Sequence, residues 1–360
     1  MSQGPDVPRG MRRIRRCVVM ASMWIFGGPL LSVLAAGTLA MGQDRPVFSS
    51  EADLVVLHVN VKDRKGAYVA GLKQEAFSIL EDGRAQTIQF FTREDAPVTV
   101  GLLIDSSGSM QPNRERVIAA ATAFAAASHP QDELFALAFN ETVTAALPSA
   151  QPFTGEVRVL RDALTRAIDV RGRTGLFDAL SAGLDYLARG RHERKVLVVV
   201  SDGGDNASRA TFEEILTKTQ TSNAVVYTVA IVDPVERDTN PKLLRRISQA
   251  SGGEAFEPKG VGDITEVLRH IAADIRHTYT IGYVSTNTSR DGAFRRLRVT
   301  VAAPASRQRL VVRTRGGYLA ARRQGQNNDA KDDVEVFEDG MKRSTNSMEA
   351  RVDGSSATRQ

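Results

Sequence analysis

Three oxygen-bearing side chains recur at i, i+2 and i+4 in the run Leu102-Leu103-Ile104-Asp105-Ser106-Ser107-Gly108-Ser109-Met110. Asp105, Ser107 and Ser109 follow a strand pattern and precede a helical one. That places them at the carboxyl end of a sheet, where open α/β folds take their ligands. Gly108 is expected to let the loop curl so that the three converge, and Pro112 suits the first turn of the next helix. Two further loops are expected on the same rim. Arg171-Gly172-Arg173-Thr174-Gly175 precedes a helix and brings Thr174; Ser201-Asp202-Gly203-Gly204-Asp205-Asn206 follows an apolar strand and brings Asp202. The set is then two carboxylates and three hydroxyls, with no nitrogen or sulfur. Hard oxygen donors select Mg²⁺, Mn²⁺ or Ca²⁺ over zinc or copper. A six-coordinate Mg²⁺ with so few anionic ligands keeps waters, and a partner's carboxylate can replace one of them. The chemistry is recognition bridged by an ion. Asp205 and Asn206 are candidates for supporting these ligands.

Each piece has a duller reading when taken alone. Ser and Asp after a strand are common helix N-caps, and Asp202-Gly203 is an ordinary turn signal. It is the ordered set of three loops that favours a metal site. Catalytic signatures are missing: the chain has no Gly-x-Ser-x-Gly elbow, no phosphate-binding Gly-Lys-Ser/Thr loop and no His-Glu-x-x-His pair. Ser107 and Ser109 have no base signalled in sequence, and a metal site without a His or Glu base is poorly equipped for hydrolysis. His270 and His277 lie seven apart on an expected helix and read as surface residues of it.

The elements that must position this rim alternate. Val98–Ile104, Leu134–Phe139, Lys195–Val200 and Ala224–Val232 are short apolar strands. Between and after them run helical stretches at Asn113–Ala127, Glu156–Ile168, Leu176–Ala188, Thr211–Ser222, Lys242–Ser251 and Asp263–His277. Strands apolar on both faces that alternate with helices predict a mainly parallel sheet with helices on both sides. Leu176, Leu180, Leu184 and Leu187 fall on one helical stripe and read as core.

The flanks are β. Val55, Leu57, Val59 and Val61 alternate with Val56, His58, Asn60 and Lys62, the pattern of a half-buried strand. Phe77–Leu80 and Thr87–Phe91 flank Glu81-Asp82-Gly83-Arg84, where Asp-Gly signals a hairpin. Tyr279–Val284, Phe294–Val301 and Arg309–Thr314 read as strands, with Asp291-Gly292 turning the first pair. The two flanks are expected to pack into one small β-sandwich from which the α/β domain projects. Phe294 to Arg323 holds nine Arg and no Asp or Glu, read as outward residues of exposed strands that protect edges from aggregation.

The 360-residue chain is 42% hydrophobic and 25% charged, ordinary globular composition. Residues 1–42 read as an export signal: five Arg, then an uncharged apolar run from Val18 to Ala40, then Ala40-Met41-Gly42 as a cleavage position. The run is long enough to serve as an uncleaved anchor, though Gly27-Gly28-Pro29 favours a signal. This segment carries +4 of the chain's net +5, leaving about +1 on the body, so the basic balance does not argue for nucleic acid. The single Cys is Cys17, which excludes cysteine-based zinc, redox and thiol chemistry from the body. Residues 321–360 lack a core pattern and are expected to be disordered.

Asp105-x-Ser107-x-Ser109, Thr174 and Asp202, in that order and strand context, resemble the metal-ion-dependent adhesion site of von Willebrand factor type A domains, over roughly residues 96–277. The chain also resembles a narrower bacterial family of exported proteins related to that domain. This rests on Val69-Ala70-Gly71-Leu72, Phe77-Ser78-Ile79-Leu80-Glu81-Asp82-Gly83, Tyr279-Thr280-Ile281-Gly282-Tyr283, Phe294–Val299 and Arg315-Gly316-Gly317-Tyr318. The resemblance implies a Rossmann-like domain in which Asp105, Ser107 and Ser109 ligate directly, and Thr174 and Asp202 directly or through water. The expected division is a leader (1–42), an N-terminal β unit (43–95), the type A domain (96–277), C-terminal strands (278–320) and a tail (321–360). The expected function is an exported, non-catalytic adhesion module holding a protein partner's Asp or Glu through Mg²⁺ or Mn²⁺. Alternatives are an envelope protein whose ion only stiffens the fold and, less favoured, a metal-dependent phosphoester hydrolase.

Overall fold

Alternation of apolar and polar residues makes the first strand, β1 (Leu54–Lys62), and its Val55, Leu57, Val59 and Val61 are all buried. The computed structural model describes residues 54–93, 96–232, 239–259, 263–302 and 310–322. The chain divides into two units, Met1–Ser50 and Glu51–Gln360, and every described residue belongs to the second. The expected leader and nearly all of the expected tail lie outside the described residues.

β2 (Phe77–Glu81) and β3 (Arg84–Gln86) form a hairpin around Asp82 and Gly83. Both turn residues have positive φ, +47° and +83°, the backbone that a two-residue hairpin turn demands. β4 (Ile88–Thr92) follows. The α/β region then runs β5 (Val98–Asp105), α1 (Arg114–Ala127), β6 (Glu133–Phe139), β7 (Val143–Ala145), α2 (Val157–Ala167), α3 (Leu176–Ala188), β8 (Arg194–Ser201), α4 (Phe212–Thr221), β9 (Val225–Ala230), α5 (Pro241–Ser251), β10 (Ala255–Phe256) and α6 (Asp263–Arg276). The chain returns to β with β11 (Thr278–Val284), β12 (Phe294–Val301), β13 (Val311–Arg313) and β14 (Gly317–Leu319).

The central sheet has the order β10-β9-β8-β5-β6-β7, parallel throughout except for the antiparallel edge strand β7. All eight residues of β5 are buried, because helices cover both faces. On one face Val117, Phe124, Leu160, Leu268 and Ile271 of α1, α2 and α6 pack on Val100, Leu102 and Val198. On the other, Leu180, Leu184, Ile215, Leu244 and Ile247 of α3, α4 and α5 pack on Leu103, Leu197 and Val199. Each such side chain contributes about 1.5–3 kcal/mol by leaving water. α4 begins at a capping box between Thr211 and Glu214. α5 ends where Gly252 turns left-handed at φ +84°.

Strands before and after this domain build a sandwich. One sheet runs β13-β1-β11-β4 and the other β14-β12-β2-β3. Leu57, Val59, Ile79, Tyr279, Ile281 and Tyr283 lie in the core between them. The Rossmann-like α/β domain with its flanking sandwich is therefore the architecture.

Several local expectations are corrected. Thr87–Phe91 is not the hairpin partner of β2; the short β3 takes that place, and the chain crosses to the other sheet one residue later. β11 and β12 do not pair across Asp291-Gly292, since they belong to different sheets. β1 is not half-buried: its second face is covered too, with His58 and Asn60 only 9% and 5% exposed. That face lies against the floor of the α/β domain, where Asn60 Nδ2 donates to the Asp274 carbonyl at 2.8 Å. Arg296 and Arg298 alternate outward as expected, but Arg295 and Arg315 are buried. Arg295 donates to Asp291 and the Ser289 carbonyl. β7, β10 and β14 were too short to leave a sequence pattern.

Candidate metal centre

β5 and β8 are neighbours in parallel register, so Asp105 and Ser201 end side by side at the carboxyl edge. Ser201 Oγ donates to Asp105 Oδ2 at 2.6 Å. The loop after β5 folds back, and the Ser107 N–H donates to Asp105 Oδ1 at 2.9 Å. Ser107 and Ser109 hydroxyls lie 3.2 Å apart, and Ser109 Oγ donates to Asp202 Oδ2 at 2.7 Å. The Gly204 N–H donates to Asp202 Oδ1 at 2.9 Å. Asp105, Ser107, Ser109 and Asp202 are thus one connected cluster. Asp105, Ser107 and Asp202 are at most 6% exposed.

Thr174 joins through its loop. The Gly108 N–H donates to Gly172 O at 3.1 Å and the Arg171 N–H to Ser106 O at 2.9 Å. The Thr174 N–H donates to Asn206 Oδ1 at 3.0 Å, and the Asn206 N–H returns to Thr174 O at 2.9 Å. Thr174 is 5% exposed, yet among the described residues no side-chain hydrogen bond ties its hydroxyl to the other four. Asn206 therefore supports the rim, by clamping the Thr174 loop to the Asp202 loop. Asp205 does something else: it accepts from Ser208 Oγ and the Phe177 N–H at the start of α3.

The glycine that shapes this site is not Gly108, whose Cβ would only touch Gly172 O at 3.6 Å. It is Gly203, at φ +83°, where a Cβ would lie 2.5 Å from Asn240 O. Sequence reasoning also missed Ser201, fully buried behind Asp105. A serine ending a strand carries no distinguishing signal until the register with β5 is known.

The electrostatics distinguish this cluster from a second one. Burial, with the nearby Asp202 adding to it, pushes Asp105 up to about 6 despite its bonds from Ser107 and Ser201. Among the described residues no Lys, Arg or His pairs with Asp105 or Asp202. Two buried carboxylates without a cation, rimmed by hydroxyls, fit a hard divalent ion.

Glu254, His270 and Asp274 also bring three potential ligand atoms within 4.8 Å of one another, a grouping the sequence did not reveal. This cluster already has its cations. Lys62 Nζ lies 3.0 Å from Asp274 Oδ1, Arg313 pairs with both Asp274 and Glu254, and the Tyr68 and Tyr227 hydroxyls donate to Asp274 at 2.9 and 2.8 Å. Two acids against two bases leave no charge for an ion to neutralise, so this is a joint between sandwich and domain. His270 sits beside Lys62 at 3.3 Å, and His277 stacks on Tyr68 with ring centroids 4.3 Å apart. Neither is the plain surface residue expected.

An open, mainly parallel sheet with a hydroxyl- and carboxylate-lined rim at its carboxyl edge defines the class. Residues 100–272 match the von Willebrand factor type A domain family, and the chain carries a domain of that family there. No curated protein matches the chain. Among solved structures, a von Willebrand factor type A protein from Catenulispora acidiphila is 14% identical, with 76% of each chain covered and a TM-score of 0.44. An aerotolerance-related membrane protein from Bacteroides fragilis is 14% identical over 49% of this chain and 98% of its own, with a TM-score of 0.40. The von Willebrand factor domain of a type V pili tip protein from Porphyromonas gingivalis is 11% identical over 51% and 96%, also at 0.40. The family assignment rests on the domain match and the sheet topology.

Proposed function

We propose that the chain is an exported, non-catalytic binding module that holds an acidic group of a protein partner through a divalent cation, Mg²⁺ or Mn²⁺, with Ca²⁺ as the remaining candidate. The observation that carries this reading is the largely buried cluster of Asp105, Ser107, Ser109 and Asp202, joined by backbone to Thr174 and without a cationic partner among the described residues. In this reading Asp105, Ser107 and Ser109 hold the ion, and Thr174 and Asp202 complete its shell directly or through water. The ion supplies an open coordination position for a carboxylate oxygen. The chain's own residues supply its placement: Ser201 and the Ser107 N–H orient Asp105, and the Gly204 N–H orients Asp202. Among the described residues, the hydrogen bonds that hold Asp105, Ser107, Ser109 and Asp202 include no His or Glu, which favours recognition over hydrolysis. Among the described residues no helix is long and apolar enough to cross a membrane.

The test is crosslinking pull-down from envelope fractions, wild type against Asp105→Ala, with Mg²⁺ or EDTA, together with Mn²⁺ binding followed by electron paramagnetic resonance. Both EDTA and the substitution should abolish capture and Mn²⁺ binding while circular dichroism is unchanged. Capture that survives both treatments sinks the reading. Mn²⁺ binding with melting that responds to Mg²⁺, but without any partner, would instead favour an ion that only stiffens the fold.

A further inference from the structure

Where the α/β domain meets the second sheet of the sandwich, a groove of about 330 Å³ opens between α4, α5 and the β12–β14 pair. Leu216 of α4, Ala250 of α5 and Phe294 of β12 make it apolar, and Arg246 of α5 gives it charge. Among the described residues that line it there is no Asp or Glu. Gly317 forms part of the wall because a Cβ there would collide with the Phe294 ring. The ring therefore lies across bare backbone, and Phe294 remains 46% exposed.

β12 adds to the charge. Its exposed residues run Phe294, Arg296, Arg298 along one face, successive members about 7 Å apart. Arg296 stands opposite Gly317 in the register with β14, at the edge of the groove. Arg246 is held over the Phe212 ring, 4.3 Å from its centroid. Neighbouring arginines have acids: Arg245 pairs with Glu257 and Arg295 with Asp291. Among the described residues no ion pair engages Arg246, Arg296 or Arg298. Against these three cations the border presents Asp82, held by the Arg296 N–H at 2.9 Å, and Glu213, one turn before Leu216. Positive charge is in excess.

The chain itself supplies a segment of the opposite character. Asp329 to Asp339 reads Asp-Ala-Lys-Asp-Asp-Val-Glu-Val-Phe-Glu-Asp, six acids against one lysine, around Val334, Val336 and Phe337. These residues lie outside the described ones, but the point from which they are tethered does not. Arg322, the last described residue, bridges to Asp291, three residues ahead of Phe294. Only Arg323 to Asn328 separate it from Asp329, a reach of up to roughly 25 Å. Gly317 is five residues back along the chain, about 17 Å at strand spacing, so the acidic run reaches the groove with every strand in place.

We propose that this groove is the docking site of the chain's own segment Asp329–Asp339. Its apolar residues cover Phe294, Leu216 and Ala250, and its carboxylates face Arg246, Arg296 and Arg298. Exposed ion pairs contribute little singly, but the short tether holds the segment at an effective concentration of about a millimolar. Docking removes from water an aromatic ring that the fold leaves exposed and answers charge that the described acids do not. It also closes the groove to acidic segments of other chains.

Chymotrypsin reads the docking in the full chain. Phe337 is the single aromatic residue after Tyr318, and cleavage there follows the released fraction when release is fast. Each chain is compared with a synthetic peptide of its own residues 327–343 in the same buffer. At low ionic strength the wild-type chain should be cut about tenfold more slowly than its peptide, as for a segment released about one-tenth of the time. The protection should vanish in about 0.5 M salt and in Arg246→Glu/Arg296→Glu, two exposed positions whose replacement should leave circular dichroism unchanged. Adding Asp332→Lys, Asp333→Lys and Glu335→Lys to that variant should restore it. Wild-type cleavage at the peptide's rate overturns the proposal. Protection that persists in the charge-reversed groove places the segment elsewhere and overturns it equally. Protection that fades on roughly hundredfold dilution reports the segment of a second copy, and overturns docking within one chain. The salt and dilution series on wild type decide the matter even if the reversed variant fails to fold.

Discussion

Asp105→Asn should stabilise the ion-free protein while destroying its response to Mg²⁺. Burial raises Asp105 from 3.8 to about 6, a shift of about two pH units that corresponds to roughly 3 kcal/mol of differential interaction. The folded-state value lies above the unfolded one, so the folded state binds the proton more tightly. The associated stability is fully present below pH 3.8 and is lost as pH rises through 6. Without an ion at pH 7.5, the carboxylate therefore costs the fold up to roughly 3 kcal/mol, by the same conversion. Asparagine removes that cost but weakens the hydrogen bonds from the Ser107 N–H and Ser201 Oγ, at about 0.5–1 kcal/mol each. The net expectation is a gain of about 1–2 kcal/mol for the variant in EDTA, read by urea denaturation. At pH 4.5 that gain should shrink to near zero. Mg²⁺ should then stabilise wild type alone, and its apparent affinity should fall about tenfold from pH 7 to pH 5 as the proton competes for Asp105. A variant no more stable than wild type in EDTA at pH 7.5 would refute the electrostatic reasoning. Equal stabilisation of both proteins by Mg²⁺ would refute the site.

Two further substitutions probe the scaffold. Asp274→Asn leaves Lys62 and Arg313 facing a neutral amide in the seam; breaking a buried pair in this way should cost about 3–5 kcal/mol, measured by urea denaturation, with Mg²⁺ affinity unchanged because the metal rim lies at the other end of the sheet. Gly203→Ala forces a Cβ against Asn240 O at φ +83°; it should cost about 1–3 kcal/mol and weaken Mg²⁺ binding, read together by differential scanning calorimetry and isothermal titration, and unchanged affinity would show that the Asp202 loop has freedom the geometry denies it.

How much of this was legible in sequence depends on what carried each signal. β5 and β8 could be read because both faces are buried, and a continuous apolar run is the direct imprint of that environment. The loops that carry the candidate ligands could be placed because they follow those strands. Ser201 could not, since its role depends on strand register, a property of pairing that a single strand's sequence does not encode. The polar face of β1 misled for a related reason. Alternation usually means one face in water, but His58, Asn60 and Lys62 alternate because that face meets a second domain through hydrogen bonds and an ion pair. The arginines divided in the same way: Arg296 and Arg298 face outward, while Arg313 meets acids that come from α6 and the approach to β10.

The two acidic clusters show why charge compensation, rather than ligand count, decides where an ion belongs. By number and type, Glu254, His270 and Asp274 resemble a transition-metal site more than Asp105 and Asp202 do. Yet Asp274 lies between Lys62 and Arg313 with two tyrosine hydroxyls on its oxygens. An ion entering there would have to expel a cation the fold already provides. Asp105 has only hydroxyl and N–H donors, which orient a carboxylate without neutralising it. Its desolvation is left uncompensated by the chain itself. In the proposed reading a cation from solution would supply that missing charge and a partner's carboxylate would complete the ion's shell, so a carboxylate left uncompensated in the isolated chain would make its binding conditional on both.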